Sequence, residues 1–153
     1  SCGPAGFAPP ITSDPPFHAE ARRLILTHLG PKAIARLEPI TREWCDELLD
    51  RVDGRPVVDA AAQYAEQIPG RIVCHILGLP LDDADLLRDY IQLENVDLPY
   101  AERPQPRIPM FEYLRRAIVD HVDHPRDDLT SHLLASTHDG EPLTMAHVGG
   151  TMA

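Results

Sequence analysis

The chain has 153 residues and a formal net charge of −10, from 24 acidic and 14 basic side chains. That length suffices for one domain with its own core, and that charge argues against nucleic acid or an anionic membrane surface as partners. No apolar run is long enough to span a bilayer and nothing resembles a signal peptide, so no membrane association and a cytoplasmic location are expected. Cys2, Cys45 and Cys74 are few, odd in number and widely spaced, which suggests reduced thiols and neither a disulfide framework nor a zinc site.

Helical periodicity dominates. Asp14 is a candidate N-cap, with Pro15 and Pro16 in first-turn positions, so a first helix is expected over 15–27, ending near Leu29-Gly30-Pro31. Pro31 suits N1 of a second helix with apolar positions Ile34, Leu37, Trp44, Leu48 and Val52. Pro39 should kink this helix or mark its true start. Trp44 falls on the apolar stripe and is expected in the core. Asp53-Gly54 is a stop signal, and Val57-Val58-Asp59 leads into a helix with Ala60, Ala61, Tyr64 and Ile68. After Pro69-Gly70, the run through Ile72, Val73, Cys74, Ile76 and Leu77 predicts a buried helix ending at Gly78. Leu81-Asp82-Asp83 opens another, with Leu86, Leu87 and Ile91 facing inward. Residues 94–109 carry four prolines and predict a connection. Met110, Leu114, Ile118 and Val122 mark a long amphipathic helix ended by Pro125. Asp127 or Asp128 caps a short helix through Leu133 and Leu134, Asp139-Gly140 is a turn, and Thr144 caps a terminal helix.

The most informative stretch is Asp14-Pro15-Pro16-Phe17-His18-Ala19-Glu20-Ala21-Arg22-Arg23. His18 and Arg22 stand at i and i+4, on one helix face suited to an anion such as a carboxylate. The alternative is an ordinary surface helix whose charges pair with Glu20 or Asp14. Two features point to a piece of a larger protein: an opening without Met in a Pro- and Gly-containing stretch, and an end at Gly150-Thr151-Met152-Ala153, where a helix is starting.

In order, these segments resemble the bacterial class of cytochrome P-450, the haem-thiolate monooxygenases. Asp14-Pro15-Pro16-Phe17-His18 with Arg22-Arg23 is similar to that family's C helix. Pro31 to Pro39 and Asp46-Glu47-Leu48-Leu49-Asp50 continue the likeness. Ile72 to Pro80 is similar to the end of the E helix, Asp127 to Ser131 to the start of the H helix, and Gly149 to Ala153 to the first turns of the I helix. The resemblance implies an all-α fold, the helical part from C to the start of I, as a single partial domain over 1–153. Residues 1–13 would be a substrate-side loop and 14–153 the helical region. The family's oxygen-activation motif, its Glu-x-x-Arg pair and its iron-ligating Cys loop are not among these residues.

The resemblance assigns haem (iron protoporphyrin IX) as cofactor, its propionates held by His18 and Arg22 and its axial Cys outside this chain. It implies insertion of one oxygen atom from dioxygen into a small organic substrate, with electrons from NAD(P)H through a reductase and a ferredoxin-type iron–sulfur partner. Arg23 would belong to the partner's docking surface, or be a solvated arginine. Ile11 and Thr12 would border the substrate pocket, or pack as ordinary loop. His121 and His124 beside Asp120 and Asp123 could suggest a metal site, but charged groups at an exposed helix end account for them, and no metal is assigned. His28, His75, His132, His138 and His147 show no partner pattern, and no catalytic residue is assigned. The competing function is a non-enzymatic all-helical ligand-binding or interaction module.

Overall fold

Prolines decide where several helices begin. The computed structural model describes residues 8–94 and 107–153, and its first helix, α1, spans Phe17–Leu29. A residue that precedes proline is pushed out of the α region, which keeps Asp14 and Pro15 outside the helix. The expected Asp14 side-chain cap is absent; instead its carbonyl accepts from the His18 N–H (3.0 Å). α2 spans Pro31–Asp50 with Pro31 at its start. Pro39 does not mark the true start. It deprives the Ala35 carbonyl of a donor, but both residues are exposed and water can take the bond.

α3 spans Gln67–Leu77, after a one-turn π-helix at Ala61–Ala65. Pro69-Gly70 is therefore no break. Pro69 sits in the first turn, where an N–H has no intrahelical partner. Gly70 is where the next helix comes close: a Cβ there would meet the Ala84 carbonyl oxygen at 3.1 Å. A 3₁₀ turn at Leu81–Asp83 leads into α4, Ala84–Glu94. Its inward residues are Ala84 and Leu87, while Leu86 and Ile91 are exposed, contrary to expectation. Leu86 lies about 100° round the helix from Leu87, off the buried face.

The Pro-rich connection lies outside the described residues except at its ends, and its last residues already belong to α5, Arg107–Asp123. Pro109 again falls in a first turn. The α5 stripe runs through Leu114, Ile118 and His121, and the expected Val122 is exposed. α6, Leu129–Leu134, is capped by the Asp128 carboxylate, which accepts from Ser131 N–H (2.8 Å). Asp139-Gly140, both at positive φ, turn a two-residue-per-strand hairpin, β1 (Thr137–His138) and β2 (Glu141–Pro142). These strands had no counterpart in the sequence reading. α7, Met145–Met152, is capped by Thr144 as expected. Among the described residues, no helix is long and apolar enough to cross a membrane.

The core lies among α3 to α7, from Cys74, Leu77, Leu87, Leu114, Ile118, Leu133, Val148 and Met152. α1 and α2 pack outside it, burying Phe17, Ala21, Trp44 and Leu48. Polar groups gather at the α3 end. Gly78 is left-handed (φ +69°), and a Cβ there would lie 2.0 Å from the Asp128 carboxylate and 2.7 Å from His121. His121 Nδ1–H donates to the Ala117 carbonyl (2.7 Å), and its Nε2 faces Asp128 at 3.1 Å. Arg126 donates to the Gly78 carbonyl (3.1 Å) and pairs with Asp120. Thr130 Oγ1 donates to the Leu77 carbonyl (2.7 Å). His121 is thus a buried joint between elements, where the sequence suggested an exposed helix end.

Gly78→Ala and Gly54→Ala separate conformation from crowding. Gly54 has the same left-handed backbone (φ +71°) with nothing within 4 Å of a Cβ. Urea unfolding should show a loss of about 1 kcal/mol for Gly54→Ala. Gly78→Ala should lose about 3 kcal/mol or more, because the buried carboxylate must also move. Equal losses would remove crowding as the reason for Gly78.

Candidate functional site

The buried side of α1 carries Phe17 and Ala21. At 100° per residue, His18 and Arg22 follow these round the helix on one flank, and Glu20 lies on the other. The structure therefore brings His18 and Arg22 together as expected. Neither side chain makes a hydrogen bond or ion pair with another described residue. The alternative partner Glu20 is engaged elsewhere: it accepts from His138 Nδ1–H at 2.8 Å and lies 3.9 Å from Arg23. Arg23 is itself exposed. α1 thus presents an arginine and a neighbouring imidazole that no other described residue engages.

Beside the start of α1 opens a groove of about 880 Å³, with Phe17, Leu114, Ile118, Leu143, Met145 and His147 among its lining residues. Phe17 sits between two imidazoles, edge to His138 (ring centroids 4.7 Å apart, 89°) and to His147 (5.1 Å, 63°). The sequence offered no partner for either histidine. They approach Phe17 from more than a hundred residues away, a separation that local pattern cannot encode. At the other end of α1, His28 lies against His132 (5.1 Å). Ile11 is exposed and Thr12 Oγ1 accepts from the Ala8 N–H at 2.9 Å; neither lines this groove.

The described cysteines are poor metal ligands. Cys74 is fully buried in the core, and burial, with the nearby Asp83 charge, pushes its thiol up to about 11. Cys45 is half-buried on α2. Cys2 lies outside the described residues. Among the described residues no group of three or more His, Cys, Asp or Glu could hold a metal ion.

No protein-family model matches the chain. Individual relatives do. Cytochrome P-450 107B1 of Saccharopolyspora erythraea is 30% identical over 145 residues, which cover 91% of this chain and 36% of that protein. Vitamin D(3) 25-hydroxylase of Pseudonocardia autotrophica is 31% identical over 135 residues, 88% of this chain and 34% of that one. Among solved structures, the myxobacterial cytochrome P-450 CYP267B1 superposes with a TM-score of 0.81 at 28% identity, over 93% of this chain and 36% of its own.

The chain is a helical part of a bacterial-type cytochrome P-450. It spans about a third of the length of the curated relatives it matches. The all-α expectation holds, with the small hairpin added.

The histidines around α1 make its seating sensitive to acid. Burial holds His147 below its ordinary pKa of 6.5, as does the neighbouring His138, while Glu20 acts the other way. Burial and then His132 lower His28, against Asp127 and Asp128. A lowered folded-state pKa means that the unfolded chain binds more protons once pH falls below the ordinary value. The stability is then full above about pH 6.5 and lost as pH falls through the folded-state values. Thermal unfolding between about pH 8 and pH 5 should show Tm falling on the acid side. The fall should be shallower in His28→Gln and His147→Gln; unchanged slopes in both would rule these two histidines out.

Proposed function

We propose that this chain belongs to a haem-dependent monooxygenase that inserts one atom of dioxygen into a small organic substrate. The observation that carries the reading is the pair His18 and Arg22, uncommitted and adjacent on the first helix of this part of a cytochrome P-450 fold. The donor set fits the cofactor. A guanidinium takes a carboxylate in a two-pronged grip, and an imidazole one turn away can donate to the same or a second propionate. When bound, haem held by a Cys thiolate from outside this chain would supply the dioxygen chemistry.

The chain's own residues then have four tasks. His18 and Arg22 anchor and orient the cofactor through its carboxylates. α5 and α7 supply apolar walls that exclude water. Ile11 and Thr12, outside the groove between α5 and α7, would belong to a loop on the substrate side. Arg23, exposed beside the clamp, meets an acidic ferredoxin-type partner that relays electrons from NAD(P)H through a reductase. A relative that is a mycinamicin IV hydroxylase/epoxidase, from Micromonospora griseorubida, supports oxygen insertion as the reaction class.

Haem transfer to apomyoglobin tests the anchor. Arg22→Ala should speed haem loss about tenfold, as expected for losing a charge-assisted hydrogen bond, and Arg22→Lys should fall between. The reduced carbon-monoxide complex should keep its thiolate-type band. Unchanged loss rates in both Arg22→Ala and His18→Ala would overturn the reading. Arg23→Glu should instead retain haem while slowing reduction by ferredoxin, by about an order of magnitude at low salt and less at high salt.

A further inference from the structure

We propose that Glu20 and His138 form a positioning pair that sets the roll of α1, so that His18 and Arg22 are presented together to the cofactor. The inference rests on the haem reading above. α1 meets the rest of the protein through an apolar face that includes Phe17, Ala21, Leu24 and Ile25. Apolar contact is non-directional, so such a face sets the rotation about the helix axis less sharply than a hydrogen bond does. The hydrogen bond from His138 Nδ1–H to the Glu20 carboxylate (2.8 Å) is directional, and each side chain is only about a third exposed (34% and 29%).

The helix geometry makes that bond informative. Glu20 is two residues from His18 and two from Arg22, hence about 200° round the helix from each, while those two lie about 40° apart. Fixing Glu20 on one flank therefore fixes the clamp on the other. His138 is itself held firmly. The Asp139-Gly140 turn pairs it with Glu141, Leu143 N–H donates to the Ser136 carbonyl (3.2 Å), and the imidazole ring packs edge-on against Phe17. The hairpin thus acts on the clamp without touching the cofactor.

Charge and position predict opposite signs. An acid beside an anion clamp repels the anion, so electrostatics alone predicts tighter haem when Glu20 is neutralised. Positioning predicts the reverse when the hydrogen bond is lost. In the haem-loaded protein, Glu20→Ala and His138→Ala should each speed haem transfer to apomyoglobin about fivefold. Glu20→Gln keeps an oxygen that accepts from Nδ1–H and should restore the parent rate or slow it further. In a His18→Ala/Arg22→Ala background, Glu20→Ala should add nothing, whereas a merely structural effect would add in full. The proposal is overturned by loss from Glu20→Gln as fast as from Glu20→Ala, by additivity in that background, or by slower loss from Glu20→Ala. If the His18→Ala/Arg22→Ala background itself loses haem at the parent rate, the haem reading fails and the positioning role falls with it.

Discussion

The turn at Gly78 is the constraint on which the scaffold depends. There α3 ends, α5 ends and α6 begins, and a side chain as small as methyl cannot fit between them. Asp128 serves two masters, capping α6 through one carboxylate oxygen and facing His121 through the other. Arg126 closes the assembly by donating to the Gly78 carbonyl. Buried ionic groups of this kind seldom add net stability over apolar packing. Their consequence is register: the three helix ends meet in one arrangement, because every other leaves a buried polar group without a partner.

The clamp helix depends on a different kind of support. α1 packs Leu24 and Ile25 against the main core and is further fastened by Phe17 and Glu20 near its start and His28 near its end. Such polar and ring contacts make its position responsive to single groups. Three of the partners are histidines, whose charge changes close to neutral pH. The part of the molecule that presents His18 and Arg22 outward is therefore also a part whose seating depends on the titratable His28 and His147.

Local physical rules made much of this legible beforehand. Pro31 at a helix start, Gly78 at a helix end, and the caps at Asp128 and Thr144 each follow from the backbone groups that a helix leaves unpaired. Leu114 and Ile118 follow from periodicity. The failures share a cause. Pro69 and Pro109 look like breaks, yet proline is harmless within the first turn, and whether a proline falls there depends on where the helix starts. His121 looks like a surface residue because its partners, the Gly78 turn and Asp128, are brought to it by the fold. Glu20 and His138 are separated by more than a hundred positions, and neither carries a local sign of the other. The juxtaposition of His18 and Arg22 follows from their spacing. That neither is engaged by another described residue required knowing where Glu20 goes.

Net charge sharpens that last point. A protein of charge −10 repels anions at long range, so a cationic site on it must be specified locally. Screening restricts the influence of distant carboxylates to about 8 Å at physiological ionic strength. Within that range the nearest acid along the helix is Glu20. Its carboxylate is turned to the far flank and shared between His138 and the more distant Arg23. The negative charge that could most easily silence His18 and Arg22 is thus spent on holding their helix in place, which leaves Arg22 charged and unneutralised where a carboxylate ligand would have to dock.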